Sequence, residues 1–146
     1  MDILSTPTGT AVRGVPAGRA ARPGLVSIIV PVFNEEDCLD ALHRELGEVL
    51  PRLARPYEII FVNDGSTDGS RDIIEALARQ NENVVAVNLQ RNSGKSAALD
   101  AGFRLARGDI IFTMDADLQD DPAEIPRFLA EIEKGSDLVN GWKKER

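Results

Sequence analysis

Five short apolar runs rich in β-branched residues, at 25–33, 57–62, 84–89, 109–114 and 137–140, recur along this chain. A strand with one wet face would alternate polar and apolar residues. These runs are apolar almost without break, so each is expected to be a strand covered on both faces. The segments between them carry a helical period instead. Leu39, Leu42, Leu46, Val49 and Leu50 fall on one stripe, Ile73, Ile74 and Leu77 on a second, and Ile125, Phe128, Leu129 and Ile132 on another. The order predicts an α/β fold of pattern βαβαβαβαβ, a mostly parallel sheet flanked by helices. Right-handed crossovers then bring the turns that follow the strands to one edge of the sheet, where open α/β folds bind their ligands. Asn34, Ser66 or Thr67, and Ser93 come directly after the first three runs and are expected to cap the helices there.

Residues 1–24 are rich in Gly, Ala, Pro and Thr and follow neither period, which predicts a disordered leader ahead of a single folded domain at 25–146. The leader holds Arg13, Arg19 and Arg22 against Asp2 and has no apolar stretch of the kind a secretory signal needs. The whole chain has a net charge of −7, so the folded part without this basic leader is more acidic still. Nucleic acid is therefore not an expected partner, because phosphate contacts need clustered Lys and Arg. An acidic site is suited to recruiting a divalent cation instead. The lone Cys38 has no internal disulfide partner, and neither it nor His43 is assigned a role. No run approaches the length of about 18 apolar residues that a membrane span requires. The sequence stops at Lys143-Lys144-Glu145-Arg146, right after the fifth run, which predicts a sheet truncated on its C-terminal side with an exposed edge.

The segment that carries most chemistry is Met114-Asp115-Ala116-Asp117-Leu118-Gln119-Asp120-Asp121-Pro122, which follows the fourth run. If the extended geometry continues, the carboxylates of Asp115 and Asp117 point to one side at the ligand edge, with Gln119 one alternate position further. Two neighbouring carboxylates repel, so a cation between them would explain their placement. Mg²⁺ or Mn²⁺ takes oxygen ligands and commonly bridges protein carboxylates to substrate phosphates. Asp120 or Asp121 is read more simply, as the cap of the helix that begins near Pro122.

Three further segments lie at the same edge. In Asn63-Asp64-Gly65-Ser66-Thr67-Asp68-Gly69-Ser70, Asp64 stands at a strand tip, suited to accept a hydrogen bond from a base edge or a ribose hydroxyl. The segment also imitates a calcium loop, but Arg71 occupies a position that should be apolar and a strand leads in. Asn92-Ser93-Gly94-Lys95-Ser96 imitates the end of a nucleoside-triphosphate loop, and that reading fails at Leu89, where the loop needs its first Gly. Lys95 either approaches a phosphate from a helix N-terminus or is a solvated surface lysine. In Pro31-Val32-Phe33-Asn34-Glu35-Glu36, Phe33 and Glu35 sit at the mouth of the first strand, placed to touch a base and its ribose.

These four segments, in this order, resemble glycosyltransferase family 2, closest to its dolichol-phosphate mannosyltransferase-like and polyprenyl-phosphate glucosyltransferase-like members. The resemblance covers residues 26–146 and is most specific at Asn92-Ser93-Gly94-Lys95 and Met114-Asp115-Ala116-Asp117-Leu118-Gln119. It implies the nucleotide-diphospho-sugar transferase (GT-A, Rossmann-like) fold and transfer of a sugar, with inversion, from a nucleoside-diphosphate sugar to a polyprenyl or dolichyl phosphate. It further implies that Pro31, Phe33, Glu35, Asp64, Lys95, Asp115 and Ala116 bind the nucleotide sugar, and that Asp115, Asp117 and Gln119 hold Mg²⁺ or Mn²⁺. The resemblance also implies work at the cytoplasmic face of a membrane, with the acceptor-binding part beyond the residues matched here. A binding-only module that keeps the nucleotide pocket is the alternative from a different class.

Overall fold

The computed structural model describes residues 10–13 and 22–140. Its elements run β1 (Thr10–Arg13), β2 (Arg22–Val32), α1 (Leu39–Val49), β3 (Tyr57–Asn63), α2 (Ser70–Gln80), β4 (Val84–Asn88), α3 (Lys95–Leu105), β5 (Gly108–Thr113), α4 (Ile125–Glu133) and β6 (Leu138–Asn140). Two short 3₁₀ turns, Leu50–Leu53 and Pro122–Glu124, end α1 and lead into α4. Among the described residues the strands make a six-stranded sheet in the order β4-β3-β2-β5-β1-β6. β2 pairs in parallel with β3 and β5, and β3 with β4, so the first four apolar runs form the expected parallel core.

The unbroken apolar runs have the expected cause. Val26, Ile28, Val30 and Val32 of β2 face a cluster with Leu39, Leu42 and Leu46 of α1, Ile74 of α2, and Leu129 and Ile132 of α4. The intervening Ile29 faces the other side, with Ala98 and Leu99 of α3 and Ile60 and Ile111 of the neighbouring strands. Alternate residues thus serve two cores, and both sets must be apolar. Gly102 lets α3 approach this closely: a Cβ there would lie 2.4 Å from Cγ2 of Ile29. Phe112 of β5 and Phe128 of α4 stack nearly parallel at 6.3 Å between centroids, which ties α4 to the first face.

One expectation is corrected. The expected disordered leader contributes β1, which pairs antiparallel with both β5 and β6, and its Arg22–Gly24 end already belongs to β2. Four residues hold too little pattern to announce a strand, and the strand exists because backbone groups of β5 and β6 satisfy its own. The rest of the leader lies outside the described residues. The fifth apolar run, β6, consequently pairs with β1 and not with β5.

Candidate functional site

The loops leaving β2 and β3 are clasped to each other. Asn34 adopts a left-handed backbone (φ 52°), which aims its side chain across the gap. Its Oδ1 accepts the amides of Thr67 (2.8 Å) and Asp68 (3.3 Å), while its own amide donates to Ser66 Oγ at 3.0 Å. The Glu35 amide donates to Ser70 Oγ (2.9 Å), and the Gly69 amide to Glu36 Oε2 (2.7 Å). The expected helix caps are therefore wrong: Asn34, Ser66 and Thr67 spend their hydrogen bonds between loops. The positions before α1, α2 and α3 are Cys38, Gly69 and Gly94, none with a side-chain cap.

Asp64 joins the next loop to this pair. Its buried carboxylate accepts the Ser93 amide on one oxygen (2.7 Å) and the Gly94 amide on the other (3.0 Å). These charge-assisted bonds fix the start of α3, and with it Lys95. Lys95 then reaches across to the end of β5, placing Nζ 2.6 Å from Asp115 Oδ1. Neither of its sequence readings, phosphate contact or free surface lysine, anticipated this ion pair.

After β5 the chain does not stay extended. Leu118 takes a left-handed conformation (φ 65°), and Asp117 Oδ1 accepts the Gln119 amide at 3.1 Å, closing a tight turn. The assumption that Asp115, Asp117 and Gln119 share one side by alternation fails at that turn, which carries Gln119 out to an exposed position. Asp121 does cap the following turn, accepting the Ala123 amide at 2.9 Å, but Asp120 does not. Asp120 is buried and accepts the Asp115 amide at 2.8 Å.

Pro31, Phe33, Glu35, Asp64, Lys95, Asp115, Ala116 and Asp117 all line one pocket of about 360 Å³ at the C-terminal ends of the parallel strands. Gln119 does not line it. Val32, Asn92 and Gly94, which sequence reasoning missed, do. Gly94 (φ 97°) sits inside a segment already singled out, where a turn into a helix is expected. Burial, then the charges of Asp117, Asp115 and Asp68, push the Glu35 carboxyl above the ordinary glutamate range. Burial acts to raise the Asp68 carboxyl too, but hydrogen bonds from Ser70 and the Glu36 amide outweigh it and hold Asp68 low. The pocket is thus acidic beneath one lysine.

Two of its side chains are oxygen donors of the kind a hard cation takes. Among the described residues no cluster of three or more His, Cys, Asp or Glu is arranged to hold an ion. Asp115 and Asp117 offer two carboxylates, each with one oxygen already used, by Lys95 and by the Gln119 amide. Mg²⁺ needs no more than one or two protein carboxylates when phosphates and water complete the shell. Among the described residues no helix is long and apolar enough to cross a membrane.

The Glycosyl transferase family 2 model matches residues 27–145. The chain belongs to glycosyltransferase family 2. It is 47% identical over 122 residues to an undecaprenyl-phosphate 4-deoxy-4-formamido-L-arabinose transferase of Pseudomonas fluorescens, covering 83% of this chain and 36% of that protein. A protein of the same name from Serratia proteamaculans is 44% identical over 122 residues, covering 83% and 37%. This chain therefore spans little more than a third of the length of these relatives. Among solved structures, residues 1–349 of S. aureus TarS superpose with a TM-score of 0.58 at 25% identity, over 75% of this chain and 32% of that one. The same part of TarS in complex with UDP gives 0.53 at 26% identity, with the same coverage. The fold is the GT-A fold of those transferases, as expected. Strand β1 lies outside the residues that the family model matches.

Proposed function

We propose that this chain binds the donor of a glycosyltransferase that moves a sugar, with inversion, from a nucleoside-diphosphate sugar to a polyprenyl phosphate. The observation that carries this reading is the convergence of Asp64, Lys95, Asp115 and Asp117, from three separate strand ends, on one pocket. Relatives that are undecaprenyl-phosphate transferases, and a structural neighbour that holds UDP, support it. Phe33 and Glu35 would take the base and ribose, and Lys95 the diphosphate, from the walls of that pocket. Asp115 and Asp117 would hold Mg²⁺ or Mn²⁺. That ion, when bound, supplies positive charge against the departing nucleoside diphosphate.

The acceptor phosphate oxygen attacks the anomeric carbon as the bond to the diphosphate breaks, and configuration inverts. Phosphomonoesters have a second pKa of about 6, so this oxygen is largely ionised near neutral pH and needs no protein base. Lys95 stays near the diphosphate as charge accumulates there, and the clasped loops keep it in place without reorganisation.

Vesicles containing undecaprenyl phosphate test the reading, with a panel of UDP- and GDP-sugars and release of nucleoside diphosphate as the readout. The expected result is binding of one donor by this chain, and lipid-dependent release from that donor once the acceptor-binding residues of a relative are joined to it. Donor binding with no release by that fusion would mark a binding-only module and refute transfer.

A further inference from the structure

Asp120 stands apart from the other acids after β5. Asp115, Asp117 and Asp121 are partly or fully exposed, whereas Asp120 is only 6% exposed and its Oδ2 accepts the backbone amide of Asp115 at 2.8 Å. The bond spans five residues and closes the whole segment Asp115–Asp120 into a ring. Inside that ring are the features that shape the acidic wall of the pocket: the left-handed Leu118 and the Asp117–Gln119 turn. A leucine with positive φ is costly and persists only where surrounding structure over-determines it. The buried carboxylate of Asp120 is a restraint of that kind. It holds one end of the strained segment while Asp121, capping the next turn, holds the other.

We propose that Asp120 is a positioning residue. Its carboxylate, acting through the Asp115 amide, fixes the two carboxylates of Asp115 and Asp117 in the spacing that accepts a cation together with a diphosphate. This rests on the cation reading above. The carboxylate itself faces the backbone and does not line the pocket. An asparagine in its place keeps an acceptor oxygen for the Asp115 amide, and an alanine removes it.

The test is calorimetric titration of the whole chain with UDP and with uridine, each with and without Mn²⁺, for the native protein, Asp120→Ala, Asp120→Asn and Asp117→Ala. The quantity compared is the gain in UDP affinity that Mn²⁺ brings. Asp120→Ala should lose about tenfold or more of that gain while uridine binds as in the native chain, the loss expected when a buried charge-assisted hydrogen bond is removed. Asp120→Asn should retain the gain within about threefold, since its bond to Asp115 survives. Uridine binding is the internal check on folding: an alanine variant that loses uridine and UDP alike would overturn the positioning role. So would an alanine variant that keeps the full Mn²⁺ gain while Asp117→Ala abolishes it. If Mn²⁺ brings no gain to the native chain, the cation reading fails and this inference falls with it.

Discussion

Lys95 Nζ sits 2.6 Å from Asp115 Oδ1, so the start of α3 is bridged to the end of β5 across the mouth of the pocket. Both side chains are partly open to solvent, at 43% and 22% exposure, and an exposed ion pair is worth only about 0–1 kcal/mol. Its consequence is placement: a cation is stationed where a diphosphate would arrive. Lys95→Met should therefore change unfolding free energy by less than about 1 kcal/mol. It should weaken UDP binding strongly and uridine binding little, by calorimetry. An equal loss for both ligands would contradict a diphosphate role. Arginine should not rescue fully, since its planar fork differs from a compact ammonium.

Asp64, which the sequence presents as a residue that recognises the base, has a second duty in the structure. Its two oxygens hold the Ser93 and Gly94 amides, so Asp64→Ala leaves two amides without their acceptor. Urea unfolding should show a loss of about 1–3 kcal/mol. Uridine and UDP affinities should fall by similar factors, because base contact and loop position are lost together. A loss confined to UDP would refute the base contact.

Gly65 is where the loops after β3 and β4 touch. It has φ 70°, and a Cβ there would lie 2.3 Å from the Asn92 amide nitrogen and 2.5 Å from the Arg91 carbonyl carbon. Backbone cannot yield as a side-chain tip can. Gly65→Ala should cost more than about 2 kcal/mol in thermal or urea unfolding. A variant as stable as the native chain would mean that the loops do not meet as described.

The raised Glu35 carboxyl gives a pH dependence with a definite sign. Burial and the charges of Asp117, Asp115 and Asp68 disfavour its ionised form in the folded state. The protonated group therefore favours folding at low pH, and that advantage is lost as pH rises from the unfolded value of about 4.3 through the raised folded one. Relative to the native chain, Glu35→Gln should gain stability across that window and hold the gain at neutral pH. Denaturant midpoints from pH 3 to 8 would show it, and a difference that does not vary with pH would contradict the assignment.

Much of this was legible in the sequence because it depends on local pattern. The continuous runs of β2 to β5 announced strands covered on both sides, and the stripes of α1, α2 and α4 announced the helices that cover one of those sides. The expected site residues, Gln119 excepted, meet in one pocket because strand ends of a parallel sheet share an edge. What escaped notice depends on partners distant in sequence or on the path of the chain. Asn34 looks like a cap until Thr67 and Asp68 are seen beside it, and Asp120 looks like one until its carboxylate is found under Asp115. β1 has no pattern of its own, and Leu118 takes a conformation that no leucine announces.

Binding of UDP to the native chain and to Asp117→Ala, each with and without Mn²⁺, tests the central claim most directly. Asp117 faces the pocket with one oxygen engaged by the Gln119 amide and the other available to an ion that bridges to the diphosphate. The native chain should bind UDP much more tightly with Mn²⁺ than without it. Asp117→Ala should bind UDP weakly under both conditions while still binding uridine as the native chain does. Affinity for UDP that is the same in the mutant, or that ignores Mn²⁺ in the native chain, would contradict a cation-assisted diphosphate site at Asp115 and Asp117.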